Sequence, residues 1–299
     1  MNDALPINEL IQTVHQVEVA VNRLANDTMV GAYLSSFKGR GMDFEDLRDY
    51  APGDDVRHID WNVTHRLGRP FVKRYREERE FSLILLVDVS ASGEFGSANR
   101  SKRRLATEVA GTLAFAAARC GDKVGLLLFT NEVELFLPPA KGRSHLLRVL
   151  REMLFFQPAH RGTNPTGALR AMLHWLTHRS MAILVSDCLC PLDHELTQAL
   201  GQANARHDLV CLHLYDPCEI ALPEVGIARF EDAETGEILE VNLARTDIRE
   251  QYANSNSQRL AALDLALQRE GVDTLRLATD RPFATMLQHF FEHRRWRRA

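Results

Sequence analysis

Three short segments of the sequence place acidic and hydroxyl side chains where they could hold a metal ion. In Asp88-Val89-Ser90-Ala91-Ser92 the polar residues alternate, which turns them to one side of an extended loop. Carboxylate and hydroxyl oxygens are hard ligands that suit octahedral Mg²⁺ or Mn²⁺, and such an ion keeps waters, so a coordination position stays open. The sequence therefore predicts a Mg²⁺ (or Mn²⁺) site with the ligands Asp88, Ser90, Ser92, Thr163 and Asp187.

The predicted ligands follow apolar segments that have the length of buried strands. Asp88 ends the run 81–88, Asp187 ends the run 182–187, and Thr163 lies in the loop that opens the helix before the second run. In an open α/β sheet, ligands bind at the carboxyl ends of the strands, where neighbouring connections diverge to opposite faces. We therefore expect the three segments to meet in one crevice.

The chain from residue 81 onward alternates predicted strands and helices, which favours an α/β fold with a mostly parallel sheet flanked by helices. The segment 133–137 follows the strand 124–129 after only three residues, so it should pair with that strand antiparallel. The remaining predicted strands are 182–187, 209–214 and 273–277, and the predicted helices are about 99–119, 143–155, 166–178, 195–206, 244–269 and 282–294.

Three regions are predicted along the chain. Apolar residues at helical spacing indicate an amphipathic helix within residues 1–26. Turn clusters, followed by alternating aromatic and charged residues, indicate a small β-rich extension over 27–80. The main domain covers 81–299 with an inserted hairpin at about 227–242. Because residues 71–80 run into Phe81 without a Gly or Pro break, we expect the whole N-terminal region to about Glu80 to pack against this domain.

Composition limits the class of protein. A chain of 299 residues with 45% hydrophobic residues can bury one large core, and a net charge of -4 gives no general attraction for nucleic acid. The longest apolar runs are strand-sized, so no transmembrane segment is predicted. Charged residues near the N-terminus argue against a secretory signal, and five cysteines without framework spacing indicate reduced thiols. The predicted location is the cytoplasm.

Two resemblances add to this interpretation. The pattern Asp88-x-Ser90-x-Ser92, then Thr163, then Asp187 resembles the metal-ion-dependent adhesion site of von Willebrand factor type A domains, over roughly residues 81–280. The resemblance implies a von Willebrand factor A-like (Rossmann-like) fold. It also implies a non-enzymatic, metal-dependent adaptor in which the ion binds a carboxylate of a partner protein.

The second resemblance lies upstream. The stretch Gly53-Asp54-Asp55-Val56-Arg57-His58-Ile59-Asp60-Trp61, with the charged strand 71–80 running into the first core strand, is similar to the bacterial DUF58 family. That resemblance implies a cytoplasmic or membrane-tethered partner of a MoxR-type AAA+ ATPase, which would assemble or activate complexes with a client protein that the sequence does not identify.

Clustered basic residues are interpreted as contact surfaces. Arg100, Lys102, Arg103 and Arg104 lie at a predicted helix N-terminus, where cations are unfavourable, so we expect them to bind a partner. The other basic groups are Lys73, Arg74, Arg76 and Arg79 and the tail 293–298. Neighbouring glutamates and the lack of a nucleic-acid-binding motif favour solvated faces or an acidic protein over specific nucleic acid.

The same residues are compatible with chemistries other than that of an adaptor. A metal-dependent hydrolase or phosphoryl-transfer enzyme is the alternative, because an open Mg²⁺ site beside Ser90 could activate a nucleophile. The sequence has no G-x-S-x-G, Walker or H-E-x-x-H motif, so no catalytic residue is assigned. Cys188 and Cys190, with His194, lack the second arm of a zinc site. Asp54, Asp55 and Asp60 are interpreted as turn residues, with Arg57 nearby as a pairing partner.

Overall fold

The computed structural model of the chain describes residues 7–37, 42–51, 54, 59–77, 81–97, 100–233 and 236–298. The helices are α1 (Ile7–Leu24), α2 (Asp27–Phe37), α3 (Trp61–Leu67), α4 (Lys102–Arg119), α5 (Arg143–Phe155), α6 (Pro165–Trp175), α7 (His194–Arg206), α8 (Pro217–Ile220), α9 (Thr246–Arg269) and α10 (Ala284–Arg298). The strands are β1 (Met42–Asp49), β2 (Phe71–Glu77), β3 (Ser82–Asp88), β4 (Lys123–Phe129), β5 (Val133–Ala140), β6 (Met181–Ser186), β7 (Asp208–Tyr215), β8 (Ile227–Glu231), β9 (Ile238–Asn242) and β10 (Asp273–Ala278). A 3-10 turn covers Ala91–Glu94.

The central sheet has six strands in the order β10-β7-β6-β3-β4-β5. Neighbouring strands are parallel except β4 and β5, which form the predicted antiparallel pair. The mostly parallel α/β fold class is therefore confirmed. From β3 the chain passes to β4 and β5 on one side and then returns to β6 on the other, so the switch point lies between β3 and β6.

Apolar side chains cover both faces of the sheet, as expected for parallel strands that are buried on each side. On one face, Leu83 and Leu85 of β3 belong to a core shared with α1, α2, α4, α5 and α10. On the other face, Ile84 and Leu86 belong to a core shared with α6, α7 and α9. The alternating faces of β3 thus fix its register, because a shift by one residue would exchange the two sets.

The N-terminal helices pack against the main domain. Val21, Met29 and Tyr33 are fully buried in the same core as α4, and the Tyr33 hydroxyl donates to Asp122 Oδ2 at 3.0 Å. The predicted packing of the N-terminal region is therefore confirmed for α1 and α2. Residues 78–80, which join β2 to β3, lie outside the described residues.

The region 27–80, predicted to be β-rich, is a mixture of helices and strands. Residues 27–37 form α2 and residues 61–67 form α3, so the prediction was wrong there. Helix α2 gains its stability from packing against α10 and α4, which the local pattern does not reveal. Helix α3 has local signals: Asp60 accepts from two backbone amides at its start, and Gly68, with φ 70°, ends it.

Elsewhere the predicted elements are found within a few residues of their expected bounds. The strand 71–77 pairs antiparallel with β1, and the predicted inserted hairpin is found as β8 and β9. Helix α4 begins later than expected, at Lys102, because Ser101 caps it by accepting from the Arg104 amide at 3.2 Å. Helix α8 was not predicted. Among the described residues, none of the helices is long and apolar enough to cross a membrane.

Candidate metal centre

The carboxyl ends of β3 and β6 bring Asp88 and Asp187 into one crevice at the switch point, as predicted. The Ser92 hydroxyl donates to Asp187 Oδ2 at 2.8 Å, and Ser90 Oγ lies 3.1 Å from Ser92 Oγ. Asp88, Ser90 and Asp187 are 8%, 1% and 5% exposed, so these oxygens are largely removed from water. Residues that are almost 100 positions apart therefore share one polar cluster.

Backbone hydrogen bonds hold the loop that follows β3. The amide of Ser90 donates to Asp88 Oδ1 at 2.9 Å, which folds the loop around its own carboxylate. The amide of Val89 donates to the carbonyl of Phe129, at the end of β4. The amide of Ala91 donates to the carbonyl of Arg161, so this loop contacts the loop that carries Thr163.

The hydroxyl of Thr163 is buried and has no hydrogen-bond partner among the described residues. Its loop is fixed, because the Asn164 amide donates to the Thr130 carbonyl and the Asn164 side chain caps α6. A buried polar group without a partner costs roughly 1–3 kcal/mol and calls for an explanation such as a bound ion or water. The orphaned oxygen belongs to a residue that the sequence predicted as a ligand.

The oxygen spacing suits an octahedral ion. Adjacent ligands around Mg²⁺, bound at 2.0–2.1 Å, are separated by about 2.9 Å. Ser90 Oγ lies 3.1 Å from Ser92 Oγ, and Ser92 Oγ lies 2.8 Å from Asp187 Oδ2. Both distances are close to that separation. The described residues contain no group of three or more His, Cys, Asp or Glu side chains that could hold a metal. Hydroxyl groups and water would therefore have to complete the shell around two carboxylates.

Electrostatics in the crevice favour an added cation. Burial and, to a smaller extent, repulsion from Asp187 raise the pKa of Asp88 to about 7, although hydrogen bonds from Ser186 and Ser90 oppose the shift. The Ser186 hydroxyl donates to Asp88 Oδ2 at 2.6 Å, so both carboxylate oxygens are held in place. A positive charge bound beside Asp88 would remove the cost of ionising it.

Lys102 lies beside this cluster and not on the surface. The sequence interpretation assigned it to a partner-binding patch, but its side chain is only 2% exposed, so that placement was wrong. Its ammonium donates to Asp187 Oδ2 at 2.5 Å and also to Glu219. Burial lowers the pKa of Lys102, but the carboxylates of Asp187 and Glu219 outweigh burial and raise the pKa above its usual value. Lys102 is therefore charged in the crevice.

The three arginines of the predicted patch differ from one another in exposure. Arg100 donates to the carbonyls of Ala278, Thr279 and Arg281, and Arg103 donates to Glu94 and the Phe156 carbonyl. Both are largely buried and join separate parts of the chain. Arg104 is 64% exposed and pairs with Glu108. A role in partner binding stays a prediction, and only Arg104 presents an exposed side chain for it.

Two residues that support Asp187 were missed in the sequence. Glu219 accepts from Lys102 and, through its other oxygen, from the Asp216 amide at 2.9 Å, as part of a capping box at the start of α8. The pattern Asp216-Pro217-Cys218-Glu219 is typical of such a cap and could have predicted it. His213 Nε2 lies 2.9 Å from the Asp187 carbonyl, and burial lowers the pKa of His213 to about 4. The neutral ring therefore donates through Nε2–H and fixes the Asp187 backbone.

The other candidate sites have structural explanations. A hydrogen bond with Cys211 and burial raise the pKa of the Cys188 thiol well above its usual value, and burial raises that of Cys190 to about 12. Protonated thiols are poor zinc ligands. Asp54 forms a bidentate pair with Arg48, at 2.6 and 2.7 Å, and Asp60 caps α3. Asp55, Arg57 and Arg79, and the side chains of 73–76 and 295–298, lie outside the described residues.

Known proteins similar to this chain come from both sequence and structure comparisons. The uncharacterized protein Rv1480 of Mycobacterium tuberculosis is 30% identical over 289 residues, which cover 96% of this chain and 90% of that protein. The crystal structure of the conserved hypothetical protein BatB from Bacteroides thetaiotaomicron is similar with a TM-score of 0.47 and 15% identity, covering 72% of this chain and 98% of that one. The SpRpn10 VWA domain is similar with a TM-score of 0.40 and 9% identity, and the match covers 69% of this chain and 93% of that one.

A family match covers most of the sequence. Residues 46–262 match the family described as "Protein of unknown function DUF58", a range that includes the upstream segment, the loop after β3 and both strands that carry the acidic residues. Together with a relative that is 30% identical over nearly the whole chain, this match shows that the protein belongs to the DUF58 family.

Proposed function

We propose that this chain is a protein-interaction adaptor whose crevice at the ends of β3 and β6 binds Mg²⁺ or Mn²⁺ and, through the ion, an acidic side chain of a partner. The observation that carries the proposal is the set of oxygens spaced 2.8 and 3.1 Å apart. The buried hydroxyl of Thr163, which has no partner among the described residues, lies in a loop that is hydrogen-bonded to the loop after β3. The donor set of hydroxyls and carboxylates matches the preference of a hard divalent ion.

The residues of the chain would act by orientation and charge. Ser186 and the Ser90 amide hold the carboxylate of Asp88, and His213 holds the backbone of Asp187. When bound, the ion supplies an open, positively charged position for a third carboxylate. Because the crevice is largely shielded from water, that attraction is stronger than it would be at an exposed site.

The identity of the partner rests on the family resemblance. A MoxR-type AAA+ ATPase is the proposed partner, and the adaptor would serve its chaperone-like assembly or activation of a client complex. The residues themselves specify only that the partner presents an acidic side chain. A cytoplasmic location is part of the same proposal.

The test is a pull-down of the cognate MoxR-type ATPase by the full chain. Four samples are compared: wild type with Mg²⁺, wild type with EDTA, Asp88→Ala with Mg²⁺, and Asp54→Ala with Mg²⁺ as an acidic control outside the crevice. We expect recovery only with wild type and Asp54→Ala in Mg²⁺, while circular dichroism shows all samples folded. Equal recovery in all four samples would contradict the proposal.

A second measurement separates the adaptor from an enzyme. Wild type and Asp88→Ala are incubated with Mg²⁺ and generic phosphate and ester substrates. An adaptor gives the same background turnover for both proteins. Turnover that depends on Asp88 would favour the metal-dependent hydrolase or phosphoryl-transfer alternative.

A further inference from the structure

Lys102 contacts Asp187, one of the carboxylates proposed to hold the ion. Asp187 Oδ2 accepts from Ser92 at 2.8 Å and from the Lys102 ammonium at 2.5 Å. Lysine is almost never fully buried unless it is paired, so this ammonium is held by specific carboxylates and does not simply fill space. A fixed positive charge therefore lies next to a predicted ligand of a divalent cation.

Glu219 gives the same ammonium a second partner that is not a predicted metal ligand. The position of Glu219 is fixed by the Asp216 amide, and Asp216 is itself fully buried. Asp216 accepts from the amide and hydroxyl of Ser97 and from the hydroxyl of Thr279. Because these hydrogen bonds hold Glu219 in place, Lys102 would keep a carboxylate partner if a bound ion neutralised the charge of Asp187.

We infer that Lys102 is a built-in counter-ion of the crevice, which lowers its affinity for a divalent cation and raises its affinity for the partner's carboxylate. The inference rests on the proposed function. The positive charge of Lys102 repels a second cation that approaches Asp187, and it attracts an incoming acid. Glu219 weakens the repulsion between Lys102 and the ion, because the ammonium pairs with Glu219 as well as with Asp187. Metal alone binds weakly, and metal together with an acidic partner binds well.

The inference predicts opposite signs for the two ligands, which a purely structural ion pair does not. Lys102→Met keeps the length of the side chain and removes its charge. We expect this variant to bind Mn²⁺ about tenfold more tightly than wild type, since one repelling charge close to the ion is lost. The same variant should bind the partner ATPase more weakly at saturating Mn²⁺, because the attraction for the acidic side chain is reduced.

Glu219→Gln tests the second half of the arrangement. The amide oxygen of glutamine can still accept from the Asp216 backbone amide, so the cap of α8 is kept. The negative charge that pairs with Lys102 is removed. We expect Mn²⁺ binding to weaken severalfold, because the ammonium then acts on Asp187 alone. Arg170→Met, which removes an exposed arginine paired with Glu195, is the control and should leave the Mn²⁺ affinity unchanged.

The experiment is calorimetric titration of the full chain with Mn²⁺ alone, followed by the ATPase pull-down at saturating Mn²⁺. Thermal melts check folding, and the double variant Lys102→Met/Glu219→Gln, which loses one charge of each sign, replaces Lys102→Met if that variant does not fold. The double variant should also bind Mn²⁺ more tightly than Glu219→Gln.

The outcomes separate this inference from the proposed function. Tighter Mn²⁺ binding together with weaker partner binding supports the inference. Wild type that binds Mn²⁺ while Lys102→Met keeps the same affinity, or binds the ion more weakly, overturns the inference and leaves the proposed function standing. Folded wild type and variants that all fail to bind Mn²⁺ overturn both.

Discussion

Buried charges lie at both ends of the central sheet, and the two groups differ in how well they are matched. At the amino ends of β7 and β10, Arg294 donates to both oxygens of Asp208, at 2.6 and 3.2 Å, and to Asp273 at 2.7 Å. Arg294 is 4% exposed, and its planar donors fit the two carboxylates. This cluster joins α10 to two strands and has the character of a structural joint.

The crevice at the carboxyl ends is incomplete by comparison. The Lys102 ammonium pairs with Asp187 and Glu219, Asp88 accepts from the neutral groups Ser186 Oγ and Ser90 N, and the buried hydroxyl of Thr163 has no partner among the described residues. Burial and the nearby Asp187 raise the pKa of Asp88 to about 7, which means that its charged form is unfavourable there. The comparison indicates that saturated buried charges stabilise the fold, whereas the less completely paired charges belong to the crevice for which we propose a ligand.

Arg294→Met should have the largest effect on stability. The substitution removes the Arg294 guanidinium from Asp208 and Asp273, and breaking a buried ion pair in this way costs about 3–5 kcal/mol. Urea denaturation followed by circular dichroism measures the loss, while Mn²⁺ affinity of the folded protein should not change. Arg170→Met, at an exposed pair, should cost about 1 kcal/mol or less. Equal losses for the two variants would show that the amino-end cluster is not a structural joint.

Asp88→Asn should have the opposite effect on stability. The amide oxygen can still accept from the Ser90 amide, the amide nitrogen can donate to Ser186 Oγ, and no buried charge remains, so we expect the metal-free protein at pH 8 to gain about 1–3 kcal/mol. Mn²⁺ binding should fall by at least about tenfold, since a charged ligand is lost. Urea denaturation and calorimetry measure the two changes. If the variant is less stable than wild type, the charge of Asp88 stabilises the fold, as we expect for the charge of Arg294.

The pH dependence of metal-free stability follows from the same carboxylate. The pKa of Asp88 is raised in the folded protein to about 7, so between pH 4 and pH 7 the folded state binds more protons than the unfolded state. Stability contributed by the protonated form is therefore present at low pH and is lost as the pH rises toward 7. The melting temperature of wild type should therefore fall relative to that of Asp88→Asn as the pH rises from 4 to 7.

Added Mg²⁺ provides the control for that slope. A bound cation favours ionised Asp88, so the difference between wild type and Asp88→Asn should become smaller or reverse at pH 8 when Mg²⁺ is present. Differences that stay constant across pH, with and without Mg²⁺, would mean that Asp88 is not buried as a charged group in the folded protein.

Thr163→Val should give the smallest change. The substitution removes a buried hydroxyl that has no described partner, so the metal-free protein should be unchanged or more stable by about 1 kcal/mol. Thr130→Val is the matched control, because the Thr130 hydroxyl is buried and donates to Glu134 at 2.8 Å; its loss should cost about 1 kcal/mol. Mn²⁺ affinity should weaken only for Thr163→Val. Equal destabilisation by both would indicate that Thr163 has a structural partner, such as a bound water.

Local patterns were sufficient for the framework of the candidate site. Runs such as Leu83–Val87 are apolar at every position because both faces of the strand are buried, and a run of this length between polar residues predicts a central strand. The ends of these runs locate Asp88 and Asp187, and the parallel order of the strands brings both to one edge. Spacing therefore predicts that Asp88 and Asp187 meet at this edge, whereas their role as metal ligands stays a prediction.

Local patterns failed where stability depends on partners that are distant in sequence. Helix α2 is held by α10 and α4, and no periodic signal distinguished it from the extension around it. Lys102 was interpreted as a surface cation because a helix N-terminus disfavours it locally, yet Glu219, 117 residues away, and Asp187, 85 residues away, bury it.

The sequence by itself therefore determined the fold class, the order of the strands and helices from β3 onward apart from α8, and the acidic residues at the carboxyl ends of β3 and β6, since these follow from local apolar periodicity. Only the tertiary structure decided which charges are paired. It matched Arg294 with Asp208 and Asp273, and it brought Lys102 to the acidic crevice. The physical reason is that burial and pairing depend on distances between segments far apart in the chain, and the packing of the whole sheet sets those distances.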